Sequence, residues 1–168
     1  GANVHLGHRV GRLVPRDRGW MLDERAFDHV ILACSAREAA RLAENVNATW
    51  AAVARAFAYE PIITVWLKAP EVHAPGPMLL LQGEPAQFGF DLGQLDPSRC
   101  GEVSLVISGA RHWVDAGQDH LRAAVERQLV QQWRTVLPRG WQITALATEK
   151  RATFRCTPGL ERPAAFAG

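Results

Sequence analysis

Apolar positions along the chain switch between two spacings, and the switches mark the elements. From Asn3 to Val14 the apolar points Val4, Leu6, Val10 and Leu13 alternate with polar ones, as in a half-buried strand. Pro15-Arg16-Asp17-Arg18-Gly19 is turn chemistry, and Trp20-Met21-Leu22 resumes the extended pattern. Within Phe27 to Ala33, His29-Val30-Ile31-Leu32-Ala33 is a β-branched apolar run suited to a buried strand. Ser35 with Glu38 three residues on is a capping box, which predicts a helix through Ala39, Ala40 and Leu42. A second helix is predicted over 48–57, with Trp50, Val53, Ala54 and Phe57 on one face and Pro61 after its end.

The remainder alternates in the same way. Ile62 to Leu67 is the strongest strand signal by β-propensity, and Pro70, Pro75, Gly76 and Pro77 mark a loop. Met78–Gln82 and Gln87–Leu92 read as a hairpin around Gly83-Glu84-Pro85, followed by a strand over Val103–Ser108. Between Gln118 and Leu137, Leu121, Val125, Leu129, Trp133 and Val136 form one helical stripe that Pro138-Arg139-Gly140 stops. Trp141 to Phe154 is extended again, and a Pro/Ala-rich, weakly ordered tail follows. The expected fold class is α+β: a mixed, mainly antiparallel sheet packed with helices.

Composition narrows this picture. A chain of 168 residues, 48% hydrophobic and with net charge +2, supports one compact domain and excludes two large ones. Ordinary apolar content and near-balanced charge exclude a disordered chain. Cys34, Cys100 and Cys156 have no CxxC spacing, which argues against a disulfide framework or zinc site and for a reducing, cytoplasmic setting. No stretch is long and apolar enough for a membrane-spanning helix. The arginines are scattered, densest at Arg9, Arg12, Arg16 and Arg18, without the aromatic-laced basic stripe of a nucleic-acid surface. The opening on Gly1 rather than Met suggests a fragment or a trimmed chain.

Candidate chemistry is sparse. His5 and His8 would not share one side of a strand, and His112 and His120 lack further ligands at metal spacing, so surface roles are expected and no metal. Cys34 stands where a helix N-terminus would depress its pKa, although a small buried packing residue is the favoured reading. No two glycines stand two apart, so G-x-G-x-x-G is absent, and so is the P-loop. Trp66, Phe88, Phe90, Trp113 and Phe154 fall in or beside predicted strands. They could line a wall for a long apolar ligand or be ordinary core.

Two segments add a resemblance. Phe27-Asp28-His29-Val30-Ile31-Leu32-Ala33-Cys34 with Ser35-Ala36-Arg37-Glu38-Ala39-Ala40-Arg41-Leu42 resembles the strand and helix of FAD-dependent amine oxidase- and phytoene desaturase-like proteins. Tyr59 to Leu67, Glu149 to Phe154, Thr157-Pro158-Gly159-Leu160 and Arg162-Pro163 are similar to the squalene-associated branch, the hydroxysqualene dehydroxylase or squalene desaturase group.

The resemblance implies a fragment of an FAD-dependent enzyme, lacking the family's first dinucleotide motif and its closing Gly-Asp motif, and inactive by itself. Residues 1–45 would be returning strands and a helix of the FAD domain, 46–156 a substrate-binding domain, and 157–168 a tail toward the closing motif. Val10 matches a valine whose backbone meets the adenine end of FAD, and Ala33 and Cys34 match the strand end nearing the dinucleotide. Trp66, Phe88, Phe90 and Lys150 would face substrate; no catalytic residue is assigned. The implied substrate is squalene, hydroxysqualene or a carotenoid precursor such as phytoene, exchanging hydride with the flavin. Such a substrate leaves peripheral contact with the inner membrane open. The competing classes are a non-catalytic α+β ligand-binding or interaction domain and a related flavin amine oxidase.

Overall fold

The computed structural model describes residues 1–166, which fall into two compact units: residues 1–58 with the segment from Cys156 onward, and Tyr59–Arg155. The fold class is α+β, as expected. Among the described residues there are five α-helices and two sheets, and every strand pair is antiparallel.

The smaller unit begins with a ribbon of three short strands, β1 (Leu13–Pro15), β2 (Trp20–Leu22) and β3 (Arg25–Phe27). A turn closed by Arg16 N–H to the Gly19 carbonyl (3.0 Å) joins the first two. Gly19 has φ 76°, and a Cβ there would stand 2.3 Å from the Phe27 carbonyl oxygen, so only glycine fits. Two helices follow, α1 (Ala36–Ala43) and α2 (Ala48–Arg55). Ser35 and Asn47 cap them, each accepting from a backbone N–H three residues on. Alanines 40, 51 and 54 make the contact, which brings the two helices close under Trp50.

Two extended readings in this unit are corrected. Residues 3–12 pair with no strand, and Val4 and Leu6 are exposed. The run His29–Ala33 belongs to no sheet either, and Ile31 is 90% exposed. β-branched composition favours a strand only when a neighbouring strand supplies the ladder and the packing. No described segment pairs with 29–33, and the third strand of the ribbon is Arg25–Phe27 instead. Among its described residues the tail carries no regular element, yet the Trp50 indole N–H donates to the Ala164 carbonyl (2.7 Å) and ties it to α2.

The larger unit is a five-stranded sheet, β4 (Tyr59–Lys68), β5 (Met78–Leu80), β6 (Phe88–Asp91), β7 (Glu102–Ile107) and β8 (Gln142–Phe154), in the order β5-β6-β7-β4-β8. The central strand does not begin after Pro61, at Ile62, as expected; it starts at Tyr59 and Pro61 lies within it. The register with β8 shifts between Glu60 and Ile62, so the missing donor falls at an irregularity. Between strands lie α3 (Leu92–Leu95), capped by Asp91, a single 3₁₀ turn over 97–99, and α4 (Arg111–Ala116). These pieces are too short to carry a period, and the sequence pattern does not reveal them.

Helix α5 (Gln118–Gln132) is shorter than predicted; Trp133 to Leu137 continue as a turn whose last N–H bonds the Trp133 carbonyl (2.7 Å). Its stripe of Leu121, Val125 and Leu129, with Trp133, packs on Ile63, Val65 and Leu67 of β4 and on Val103, Leu105 and Ile107 of β7. Each of these large side chains contributes about 1.5–3 kcal/mol by leaving water.

Two contacts fix the helix on the sheet. A Cβ on Gly89 would stand 1.9 Å from the Trp133 ring, so the ring, 4% exposed, occupies the space that glycine leaves. Gln128, 3% exposed, accepts from Ala86 N–H (2.9 Å) and donates to the Ala86 (2.8 Å) and Gln82 (3.1 Å) carbonyls. One turn on, Gln132 accepts from Gln82 N–H and donates to its carbonyl, both at 2.7 Å. The two carboxamides bond the 82–86 loop much as a neighbouring strand would.

Gly89→Ala is expected to lower unfolding free energy by about 1–3 kcal/mol through overpacking against Trp133. In urea titrations, most of that loss should vanish when Gly89→Ala is made in a Trp133→Leu background, because the two changes share one space.

Candidate functional site

Two surfaces, one in each unit, carry the candidate residues. In the smaller unit Val10 is half-buried and belongs to no strand, and segment 8–12 is held by side chains rather than by a sheet. The Asp23 carboxylate accepts from the N–H groups of Gly11 (3.0 Å) and Arg12 (2.8 Å) and pairs with His8 (3.2 Å). The Asp23 N–H donates to the Arg12 carbonyl at 2.9 Å. Asp23 holds this position with φ 51°, a left-handed conformation that aspartate tolerates better than most residues. The Arg12 N–H, before all else, holds the Asp23 carboxyl below its ordinary range, with Gly11 and His8 adding to it.

Arg41 of α1 binds the carbonyls of the same segment. Its Nη2 donates to Val10 (2.7 Å), its Nη1 to Gly11 (2.8 Å), and its Nε to Glu38 Oε2 (2.9 Å). Arg9 reaches both Glu38 oxygens at 3.2 Å. Glu38 therefore completes only half of a capping box: its N–H bonds Ser35 Oγ (3.4 Å), while its carboxylate serves two arginines. Hydrogen bonds from Arg41, then Arg9, draw its pKa down.

Ala33 and Cys34 precede α1, and both are exposed. The expected buried Cys34 is thus corrected, and so is the expected activation by the helix N-terminus. Desolvation, then the nearby Glu38 carboxylate, raises the thiol pKa, and Arg41 offsets this only in part. Glu38 in the first turn brings negative charge to the place where a thiolate would need positive charge. Beside this region lies a cavity of about 590 Å³, lined by Leu13, Trp20, Ile31, Ala39 and Trp50 among others.

The larger unit presents the face of the sheet that α5 leaves uncovered. Strand pairing places Met78, Phe90, Ser104, Trp66 and Ala145 side by side in one rung. Two positions along, Leu80, Phe88, Val106, Thr64 and Ala147 form the next rung of that face. With strands about 4.8 Å apart, each rung spans about 19 Å. Trp66, Phe88 and Phe90 are half-buried, while Met78 and Leu80 are 53% and 71% exposed on the edge strand. Phe88 and Phe90 share this face because Gly89 between them points at Trp133.

The other candidates lie elsewhere. Lys150 is exposed at the register shift of β8, about 16 Å along the strand from Ala145. Trp113 is in α4, where it stacks with His120 and meets His112 at a tilt, and Phe154 pairs with Tyr59. His5 contacts Arg25 (3.0 Å), and His112 pairs with Glu84 (3.0 Å). Among the described residues no group of three His, Cys, Asp or Glu side chains is placed to hold a metal, and no helix is long and apolar enough to cross a membrane. Sequence reasoning does not single out Arg41 and Asp23, because nothing local marks a side chain that bonds a backbone 31 or 12 residues away.

No protein-family model matches the chain, and no curated protein matches it either. Solved structures do. An oxidoreductase from Methanosarcina mazei superposes with a TM-score of 0.58 at 14% identity, over 84% of this chain and 36% of that one. A "Putative protoporphyrinogen oxidase" from an Exiguobacterium species gives 0.51 at 9% identity, over 89% of this chain and 36% of its own. The chain thus spans about a third of each, and what it shares with them is the fold.

Asp23 and Glu38 give the smaller unit a pH dependence of defined sign. Both carboxyls are depressed in the folded chain, so their contribution is fully present above their ordinary values of 3.8 and 4.5 and is lost as pH falls below them. Thermal unfolding followed from neutral pH down to about pH 3 should show falling stability, and Asp23→Asn with Glu38→Gln should flatten that slope. An unchanged slope would remove these two groups from the account.

Proposed function

We propose that the chain is part of an FAD-dependent oxidoreductase of the phytoene desaturase- and amine oxidase-like flavoproteins. Its substrate on this reading is a C30 isoprenoid, squalene or hydroxysqualene, or a carotenoid precursor such as phytoene. The observation that supports it most is the rung from Met78 to Ala145, which carries no charged side chain over about 19 Å. A long hydrocarbon offers no hydrogen bond, so a protein can hold it only by apolar contact and shape. Trp66, Phe88 and Phe90 supply that contact here, and Ser104 is the rung's polar position. The shared fold with two oxidoreductases favours this reading over a non-catalytic binding domain.

On this reading the adenine end of the dinucleotide meets the smaller unit at Val10. A backbone outside any sheet offers N–H and carbonyl groups of the kind an adenine edge takes up. Val10, Ala33 and Cys34 would hold the cofactor from this side. When bound, FAD would supply hydride exchange with an allylic carbon of the substrate. The chain's own part is to exclude water from the hydrocarbon and fix its depth on the sheet. A substrate of this class resides in bilayers, so the longer protein would work at a membrane surface.

Purification of the full-length protein should give yellow material with a bound-flavin spectrum; colourless protein that takes up no added FAD would overturn the reading. Presented anaerobically with squalene, hydroxysqualene, phytoene and a simple amine in turn, the flavin should respond to an isoprenoid. A response to the amine alone would favour the amine oxidase alternative. Trp66→Ala and Phe90→Ala should each raise KM about tenfold, the loss of one aromatic contact, with a smaller change in kcat.

A further inference from the structure

Segment 8–12 depends on two side chains, Asp23 for its N–H groups and Arg41 for its carbonyls. A backbone–backbone hydrogen bond runs from Asp23 N–H to the Arg12 carbonyl, and the carbonyls of Val10 and Gly11 are both taken by Arg41. Three nitrogens of that guanidinium bond three acceptors, two on the segment and one on Glu38, and Glu38 is itself gripped by Arg9. Only a planar fork with donors on separate nitrogens meets acceptors arranged in this way. The guanidinium therefore links the helix that follows Ala33-Cys34 to the segment that carries Val10, and with Asp23 on the Gly11 N–H it fixes the plane of the Val10–Gly11 peptide. A carbonyl oxygen has two lone pairs, so the bond to Arg41 leaves Val10 able to accept from a ligand as well.

We infer that Arg41 is a positioning residue for the dinucleotide. It holds the Val10 backbone in the orientation that the adenine half meets, while touching neither adenine nor flavin. This rests on the reading of the smaller unit as part of an FAD site. Preorganisation of this kind raises affinity by removing the cost of ordering the segment at binding. Asp23 orders the N–H groups of the segment and Arg41 its carbonyls, so the part of that cost that concerns the Val10 and Gly11 carbonyls falls on Arg41.

The test uses the full-length protein with FAD titrated by flavin fluorescence, and with ADP and FMN as competitors for the two halves of the site. Arg41→Ala should weaken FAD about tenfold and raise the inhibition constant of ADP by the same factor, leaving that of FMN within about twofold. Arg41→Lys, which keeps the charge but not the fork, should recover part of the loss. Arg37→Ala on the same helix, whose side chain makes no such bonds, should match the wild type. Hydrogen exchange over residues 8–12 should quicken in Arg41→Ala. Wild-type affinity for FAD in both Arg41 variants would overturn the inference. So would parallel weakening of ADP and FMN, the mark of general loosening, and where Arg41→Ala does not fold, Arg41→Lys alone decides. Failure of the wild-type protein to take up FAD would instead overturn the underlying reading, and the inference with it.

Discussion

Strict alternation along β4 is the constraint on which the larger unit depends. Pro61, Ile63, Val65 and Leu67 turn to one side and are buried, and Ile62, Thr64 and Trp66 turn to the other. Because β4 pairs with both β7 and β8, its alternation is passed to them in register, and through β7 to β6 and β5. Once α5 covers the first side, the aromatic residues of the sheet have only the second left to occupy. A slip of one residue would bring Trp66 under the helix and expose Val65 and Leu67. The apolar wall and the core are thus two outcomes of one register.

The smaller unit is organised by a different kind of interaction. Its sheet is a ribbon of three-residue strands and its helix contact is built from alanines, so it buries few large side chains. Side-chain hydrogen bonds to backbone supply much of its order instead. Asp23 gathers N–H groups and Arg41 gathers carbonyls of the same short segment. Such bonds are directional and fix peptide planes, which apolar packing does not do. A segment held in this way can be well oriented and still keep one edge free.

Legibility in the sequence follows the range of the forces involved. β4, α1, α2 and α5 are readable because their burial repeats at a fixed period within the element, whereas β7 and β8, whose burial does not alternate, are readable only as extended runs between turn residues. The hairpin of β5 and β6 is readable from Gly83-Glu84-Pro85 between two apolar runs. His29–Ala33 misleads, since its composition describes a strand while strand formation is decided by a neighbour. α3 and α4 escape notice because they last about one turn and are set by capping and by the ends of strands. For the candidate surfaces, Trp66, Phe88 and Phe90 stand out as aromatics, but their sharing of one face is a matter of register between distant strands. The Asp23 and Arg41 clamps have no local signal at all.

The paired glutamines of α5 carry a further consequence, and it concerns which changes the gene can absorb. Gln128 stands in for a peptide group, accepting from one amide and donating to two carbonyls in a place closed to water. Glutamate has nearly the same size and shape, and a single base change in either glutamine codon produces it. Yet a carboxylate cannot donate, and it would set a buried charge against the carbonyls of Ala86 and Gln82. The substitution that looks mildest on paper is therefore among those this position tolerates least. Drift at Gln128 is constrained by the direction of its hydrogen bonds more than by the volume it fills.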